Sequence, residues 1–270
     1  MPSVTANRVN IAYETPGAGE AVALVHLSLY ADSYAPLMDQ PALVGYRLIR
    51  YHRRGDAGSS RTAGPVTVAD QTADLARLLD ILGVERAYVA GHSYGGLIAT
   101  QLTLTRPDLV GPSCLWSQRY GSYPEDRPVG TWAGGWLWVS RSTRRVPRWS
   151  RGRLLDPDLR PGVPRTAGSR TPGSWDQVVR DADAFLGVEV PELRWWQFGS
   201  AEAKRIRVPV LSLVGEESDA AFLEFEELLS GLLPRLETAR VPGANHLLCL
   251  KQPRPVAESP ARFLARHPLR

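Results

Sequence analysis

The residues Gly91-His92-Ser93-Tyr94-Gly95-Gly96 are where residue type and spacing most directly permit chemistry. They contain the pattern G-x-S-x-G. The apolar stretch before it (86–93) reads as a strand, and the stretch after it (94–107) reads as a helix stopped at Pro107. A strand-to-helix turn this tight leaves no room for a side chain at 91 or 95. It pushes the serine out above the sheet, at a helix N-terminus whose N–H groups favour negative charge. The bland alternative is a glycine-rich turn carrying a solvent-facing serine. The flanking strand and helix favour the reactive one.

A serine hydroxyl is a weak nucleophile until a base takes its proton. Of the five histidines, His246 lies in the loop "PGANHLLCL" after a strand, where a base is expected. His26 and His92 lie beside strands of the candidate site, His52 ends a strand and His267 is near the C-terminus. The base needs an acid to hold its tautomer and stabilise the imidazolium. The loop "GEESDAA" offers Glu216, Glu217 and Asp219, which satisfies the chain order serine, acid, histidine. Asp219 is favoured, with Glu217 second. A tetrahedral oxyanion needs two backbone N–H donors. Tyr94 supplies one, and Leu27 or Ser28, in the loop after "ALVHL", supplies the other. His26, Trp195 and Trp196 are candidate substrate contacts.

The elements that must position these groups follow from the hydrophobic pattern. Strands are expected over 8–15, 21–27, 46–52, 86–93, 208–215 and 238–246, the last running into a loop. Helices are expected over 67–83, 94–107, 174–187, 220–234 and 257–267, with a short one in 32–43. Thr67 can cap the helix 67–83, Leu75, Leu78, Leu79 and Leu82 stripe it, and Gly83 ends it. Alternation of strands and helices predicts an α/β fold with a mostly parallel sheet covered by helices.

Composition sets outer limits. The chain has 270 residues, 43% of them hydrophobic, which suits one large domain with or without an insertion. A net charge of +4 is too small to point to a polyanion. The two cysteines, Cys114 and Cys249, have no metal-ligand spacing, which fits a reducing compartment. With no signal-peptide pattern and no apolar run near about 18 residues, a cytoplasmic protein is expected.

At this point the sequence resembles the α/β-hydrolase superfamily over residues 8–111 and 174–267. "RYHRRGDAGSS" is similar to the loop after its fourth strand. "VAGHSYGG", "VPVLSLVGEESD" and "VPGANHLLCLKQP" are similar to its nucleophile, acid and histidine segments. The resemblance implies a Ser-His-acid hydrolase with a cap inserted after the sixth strand. Three departures stand out. Leu27, in "VHLS", replaces the glycine that usually follows the histidine. Asp219 lies four residues after Gly215, with Ser218 at the commoner third place. Ser117 stands where some relatives carry a carboxylate at the end of the sixth strand.

Residues 112–173 interrupt the pattern. They hold eleven Arg, four acidic residues and eight Pro, with no helical stripe. The expected sixth strand breaks down after "RPDLV". Nucleic-acid binding through Arg and Trp, and membrane contact, fit poorly with a segment placed over a catalytic serine. Two readings of it stand level: an irregular lid with aromatic walls, and a stretch translated out of frame between two compensating shifts near 111 and 173. The domains are then a hydrolase core (1–111 and 205–270) and a cap region (112–204).

The expected function is hydrolysis of a carboxylic ester or related acyl bond of a small, largely apolar substrate through an acyl-enzyme. No metal or organic cofactor, nucleic acid or membrane is called for. Two alternatives stay open: perhydrolase or haloperoxidase, C–C hydrolase or acyl-transferase chemistry on the same scaffold, and a catalytically impaired binding protein.

Overall fold

A computed structural model of the chain describes residues 1–116 and 170–269. The readings that fall on 117–169, including Ser117, the irregular lid and the altered frame, lie outside the described residues. Eight strands form one sheet in the order β1-β2-β4-β3-β5-β6-β7-β8. They are β1 (Ser3–Ala6), β2 (Val9–Glu14), β3 (Glu20–Val25), β4 (Tyr46–Tyr51), β5 (Ala87–His92), β6 (Val110–Trp116), β7 (Val210–Gly215) and β8 (Leu236–Val241). β1 and β2 pair antiparallel, as do β2 and β4; from β4 to β8 every neighbouring pair is parallel.

The described helices are α1 (Ala35–Met38), α2 (Val68–Ile81), α3 (Tyr94–Thr105), α4 (Ser174–Ala184), α5 (Ser200–Ala203), α6 (Ala220–Leu232), α7 (Leu248–Lys251) and α8 (Pro253–Arg266). None is long and apolar enough to cross a membrane.

The apolar runs are buried because both sheet faces are covered. Along β3, Ala21, Ala23 and Val25 join Leu75 and Leu78 of α2 and Leu102 of α3. Val22 and Leu24, one residue out of phase, face Phe263 and Leu264 of α8. α2 begins in a capping box. The Asp70 N–H donates to Thr67 Oγ1 at 3.1 Å, and the Thr67 N–H donates to Asp70 Oδ2 at 2.9 Å.

Two departures from expectation concern the edges of the pattern. β1 lies ahead of the first expected strand, and its partly exposed residues carry no strong alternation. β6 continues through "VGPSCLW", pairing Ser113 with Val210 and Cys114 with Leu211. The pattern therefore does not fail at 111. Gly111, Pro112 and Ser113 interrupt the apolar run, but sheet pairing on both sides holds the strand to Trp116.

One buried ionic cluster ties distant segments together. Arg53, just beyond β4, is fully buried. Its guanidinium lies 2.7 Å from Asp56 and donates to Glu189 at 2.9 Å. Gln71 of α2 donates to the same Glu189 oxygen at 2.8 Å. Glu189 ends a single π-helical turn (Phe185–Glu189) that follows α4. The cluster therefore fastens the segment returning after residue 169 to the core. One guanidinium faces two carboxyls, and burial raises the proton affinity of both.

A carboxyl with a raised folded pKa contributes stability at low pH and loses it as pH climbs from the ordinary carboxyl range towards the raised value. An amide in place of the Glu189 carboxyl holds no such proton. Glu189→Gln is therefore expected to destabilise by about 1–3 kcal/mol at pH 5, with the difference shrinking or reversing at pH 8. Denaturant unfolding at the two pH values checks this. A difference that grows with pH would contradict it.

Candidate active site

Ser93 sits between β5 and α3 with φ 53° and ψ −118°, a conformation that L-residues rarely adopt. Such strain costs on the order of 1–3 kcal/mol and persists only where the surroundings over-determine it. The two glycines allow it. A Cβ on Gly91 would stand 2.7 Å from the Gly96 Cα, inside the turn. A Cβ on Gly95 would stand 2.6 Å from the His26 carbonyl oxygen, against the end of β3. Both approaches are closer than any real Cβ tolerates, so the elbow needs glycine at 91 and 95.

His246 Nε2 lies 3.1 Å from Ser93 Oγ, although the two are 153 residues apart. The loop that carries His246 is pressed against the end of β7. A Cβ on Gly215 would stand 2.7 Å from the Asn245 carbonyl oxygen. The Glu217 N–H donates to the Ala244 carbonyl at 2.8 Å, and Asn245 Oδ1 accepts from the Leu247 N–H at 3.0 Å. The Phe222 ring of α6 stacks on the His246 imidazole at 4.3 Å between centroids. His92 Nε2 lies 2.8 Å from the His246 carbonyl oxygen. Facing a carbonyl, that nitrogen must carry the proton and donate.

Asp219 is exposed at the N-terminus of α6. The extra residue in the loop is the reason. Ser218 takes the buried third place after Gly215, and Asp219 falls on the solvent side. Glu217 is exposed and paired with Lys251 at 2.9 Å. Glu216 is also exposed.

Leu27 and Ser28 follow β3 beside the elbow. His26 is fully buried, and both ring nitrogens are engaged with backbone. Nδ1 faces the Leu27 carbonyl at 2.6 Å and so donates, while Nε2 accepts from the Arg53 N–H at 3.0 Å. Burial, and then the Arg53 charge, hold this imidazole well below its ordinary pKa, in the neutral form that pattern requires. His26 therefore has no nitrogen left for a substrate, which corrects its assignment as a substrate contact. It acts on the loop instead. The Leu27 carbonyl and the Ser28 N–H share one trans peptide plane and point in opposite directions. Holding the carbonyl thus aims the Ser28 N–H away from His26.

The two tryptophans have different surroundings. Trp196 is buried in the core beside α3, stacked on Phe198 at 5.9 Å, with Nε1 donating to Gln101 at 2.9 Å. Trp195 is 67% exposed. A separate apolar cluster includes the β3 loop and the residue after His246. Leu27, Leu29 and Tyr30 of the β3 loop and Leu247 after the base pack with Val178, Ala182, Phe185 and Leu186. The last four recur at helical spacing in "SWDQVVRDADAFLG", a stripe that could have been read from the sequence. Phe222 and Arg53 carried no such signal. The Arg53 guanidinium lies 4.6 Å from the ring centroid of Tyr94, the residue after the serine. Among the described residues no group of three His, Cys, Asp or Glu is placed to hold a metal ion.

Comparison with known proteins follows the same lines. Residues 24–111 match the family model for the alpha/beta hydrolase fold. The chain is similar to an Azorhizobium caulinodans protein named "Putative carbamate hydrolase RutD", at 34% identity over 111 residues. That match covers 41% of this chain and 42% of the relative, so the similarity spans well under half of that protein. A Bacillus subtilis protein named "Uncharacterized carboxylesterase nap" is 28% identical over 218 residues, covering 76% of this chain and 67% of the relative. Among solved structures, an esterase from Thermogutta terrifontis superposes with a TM-score of 0.76 at 20% identity, covering 98% of both chains.

Two substitutions test the geometry. His246→Ala is expected to lower kcat at least about 10⁴-fold, as loss of a base paired with a serine does. Asp219→Asn is expected to leave kcat within about three-fold, because its carboxylate is exposed to solvent. A thousand-fold loss in Asp219→Asn, measured on folded protein, would restore Asp219 as the acid.

Proposed function

Because the chain belongs to the α/β-hydrolase superfamily and sets a histidine Nε2 3.1 Å from a strained elbow serine, we propose that it is a serine hydrolase. Its substrate would be a small, largely apolar molecule with a carboxylic ester or related acyl bond. The Ser93–His246 contact carries this reading. Ser93 Oγ attacks the carbonyl carbon as His246 Nε2 takes its proton. The oxyanion forms beside the N–H of Tyr94, at the first turn of α3 where backbone donors have no intrahelical acceptor. The Ser28 N–H, aimed by His26, is the second donor. His246 returns the proton to the leaving oxygen, and an acyl-Ser93 ester remains. Water, deprotonated by His246, then hydrolyses that ester.

The segment returning at residue 170 acts in this reading as part of a cap. Val178, Phe185 and Leu186 turn the space above the serine apolar, and the Arg53–Glu189 contact fastens them over it. This favours acyl chains over charged groups.

A fluorophosphonate probe tests the reading directly. Wild type is expected to be labelled, and Ser93→Ala to lose the label while staying folded. Unlabelled, well-folded wild type would end the hydrolase reading. Nitrophenyl esters of rising chain length then test the cap. Leu186→Ala is expected to move the preferred acyl chain towards longer esters, and an unchanged profile would remove Leu186 from the pocket.

A further inference from the structure

We propose that His92, the residue before the nucleophile, is a positioning residue that fixes the base His246 relative to Ser93. The inference rests on the hydrolase reading above and deepens it. His92 is fully buried at the end of β5, one peptide from the serine. Its Nε2–H donates to the backbone carbonyl of His246 at 2.8 Å. On the opposite edge of the same ring, Nδ1 faces Cys249 Sγ at 3.8 Å, the thiol being the donor. His246 and Cys249 lie within one short stretch, with Cys249 in the first turn of α7. One imidazole therefore holds the histidine loop at two points, and its ring contacts the base itself at 5.1 Å between centroids.

The arrangement needs a neutral His92 with its proton on Nε2, since Nδ1 must accept. The surroundings favour that form. Burial pushes the ring pKa down to about 4, so it is uncharged at neutral pH. The Cys249 thiol, also fully buried, is pushed well above its ordinary range and stays protonated. Neither group is exposed to substrate or solvent, so neither takes part in the chemistry.

The consequence is geometric. Proton transfer from Ser93 depends on a hydrogen-bond distance between two residues 153 apart in sequence. The serine is held by β5, and the base sits on a loop after β8. His92 belongs to β5 and holds that loop, which ties the serine–base distance directly to the side chain next to the serine. Displacing a catalytic group by about 1 Å can cost on the order of 100-fold in rate. This contact also leaves an otherwise buried carbonyl satisfied.

The test compares His92→Gln with His92→Leu in the full chain. Gln carries an amide N–H at the reach of Nε2; Leu fills space without a donor. Thermal midpoints establish that each is folded, and fluorophosphonate labelling of wild type first establishes the nucleophile. Unlabelled wild type overturns the hydrolase reading rather than this one. With labelling established, His92→Leu is expected to lower kcat on a nitrophenyl ester at least ten-fold with KM within two-fold, because His92 does not face the pocket. His92→Gln is expected to recover at least a third of wild-type kcat. If His92→Leu does not fold, His92→Asn takes its place; its shorter amide falls short of the His246 carbonyl. Wild-type kcat in the folded Leu or Asn variant, or an equal kcat loss in the Gln variant and in that variant, would overturn the proposal.

Discussion

The site depends on how closely α3 can approach β3. A side-chain carbon at Gly95 would meet the His26 carbonyl at 2.6 Å, and one at Gly91 would meet the next turn at 2.7 Å. Only with both positions bare can the chain reverse from β5 into α3 within one residue. That reversal forces Ser93 to positive φ and lifts its hydroxyl clear of the sheet. The same approach sets the first N–H groups of α3 beside the loop that follows β3. The elbow serine and the first N–H groups of α3 are thus placed by one close contact between two backbones.

The rest of the molecule stabilises that contact from behind with buried polar groups. His26 links the Leu27 carbonyl to the Arg53 backbone, so the β3 loop and the β4 loop are tied to each other. The Arg53 side chain spans the Tyr94 ring, Asp56 and Glu189. Burying one guanidinium with two carboxyls is costly unless each is paired, and Gln71 supplies a further donor. Such a cluster adds little net stability over an apolar core, but it admits few alternative arrangements. It connects the β4 loop and Tyr94 to the segment that returns after residue 169.

The apolar groups divide along similar lines. Val178, Ala182, Phe185 and Leu186 face the β3 loop and Leu247 rather than the sheet. Trp196 and Phe198, which look more conspicuous in the sequence, complete the core beside α3 instead. Size and aromaticity predict burial well, and they do not say which buried space a residue fills.

The sequence by itself determined the α/β alternation and the parallel sheet, and it singled out Ser93 and His246, which the fold brings within 3.1 Å of each other. These follow from short-range rules: period, glycine tolerance and strand–turn–helix order are local properties. It could not show that Asp219 would be exposed, because a one-residue difference in loop length decides which residue turns inward, and that depends on how the loop packs against Ala244 and Asn245. It misjudged β6, whose polar and glycine interruptions are overridden by neighbours on both sides. It could not find the roles of His26, Arg53 or His92. Each acts through a partner between 27 and 154 positions away, and a hydrogen bond at that separation exists only once the sheet has set the strand ends side by side.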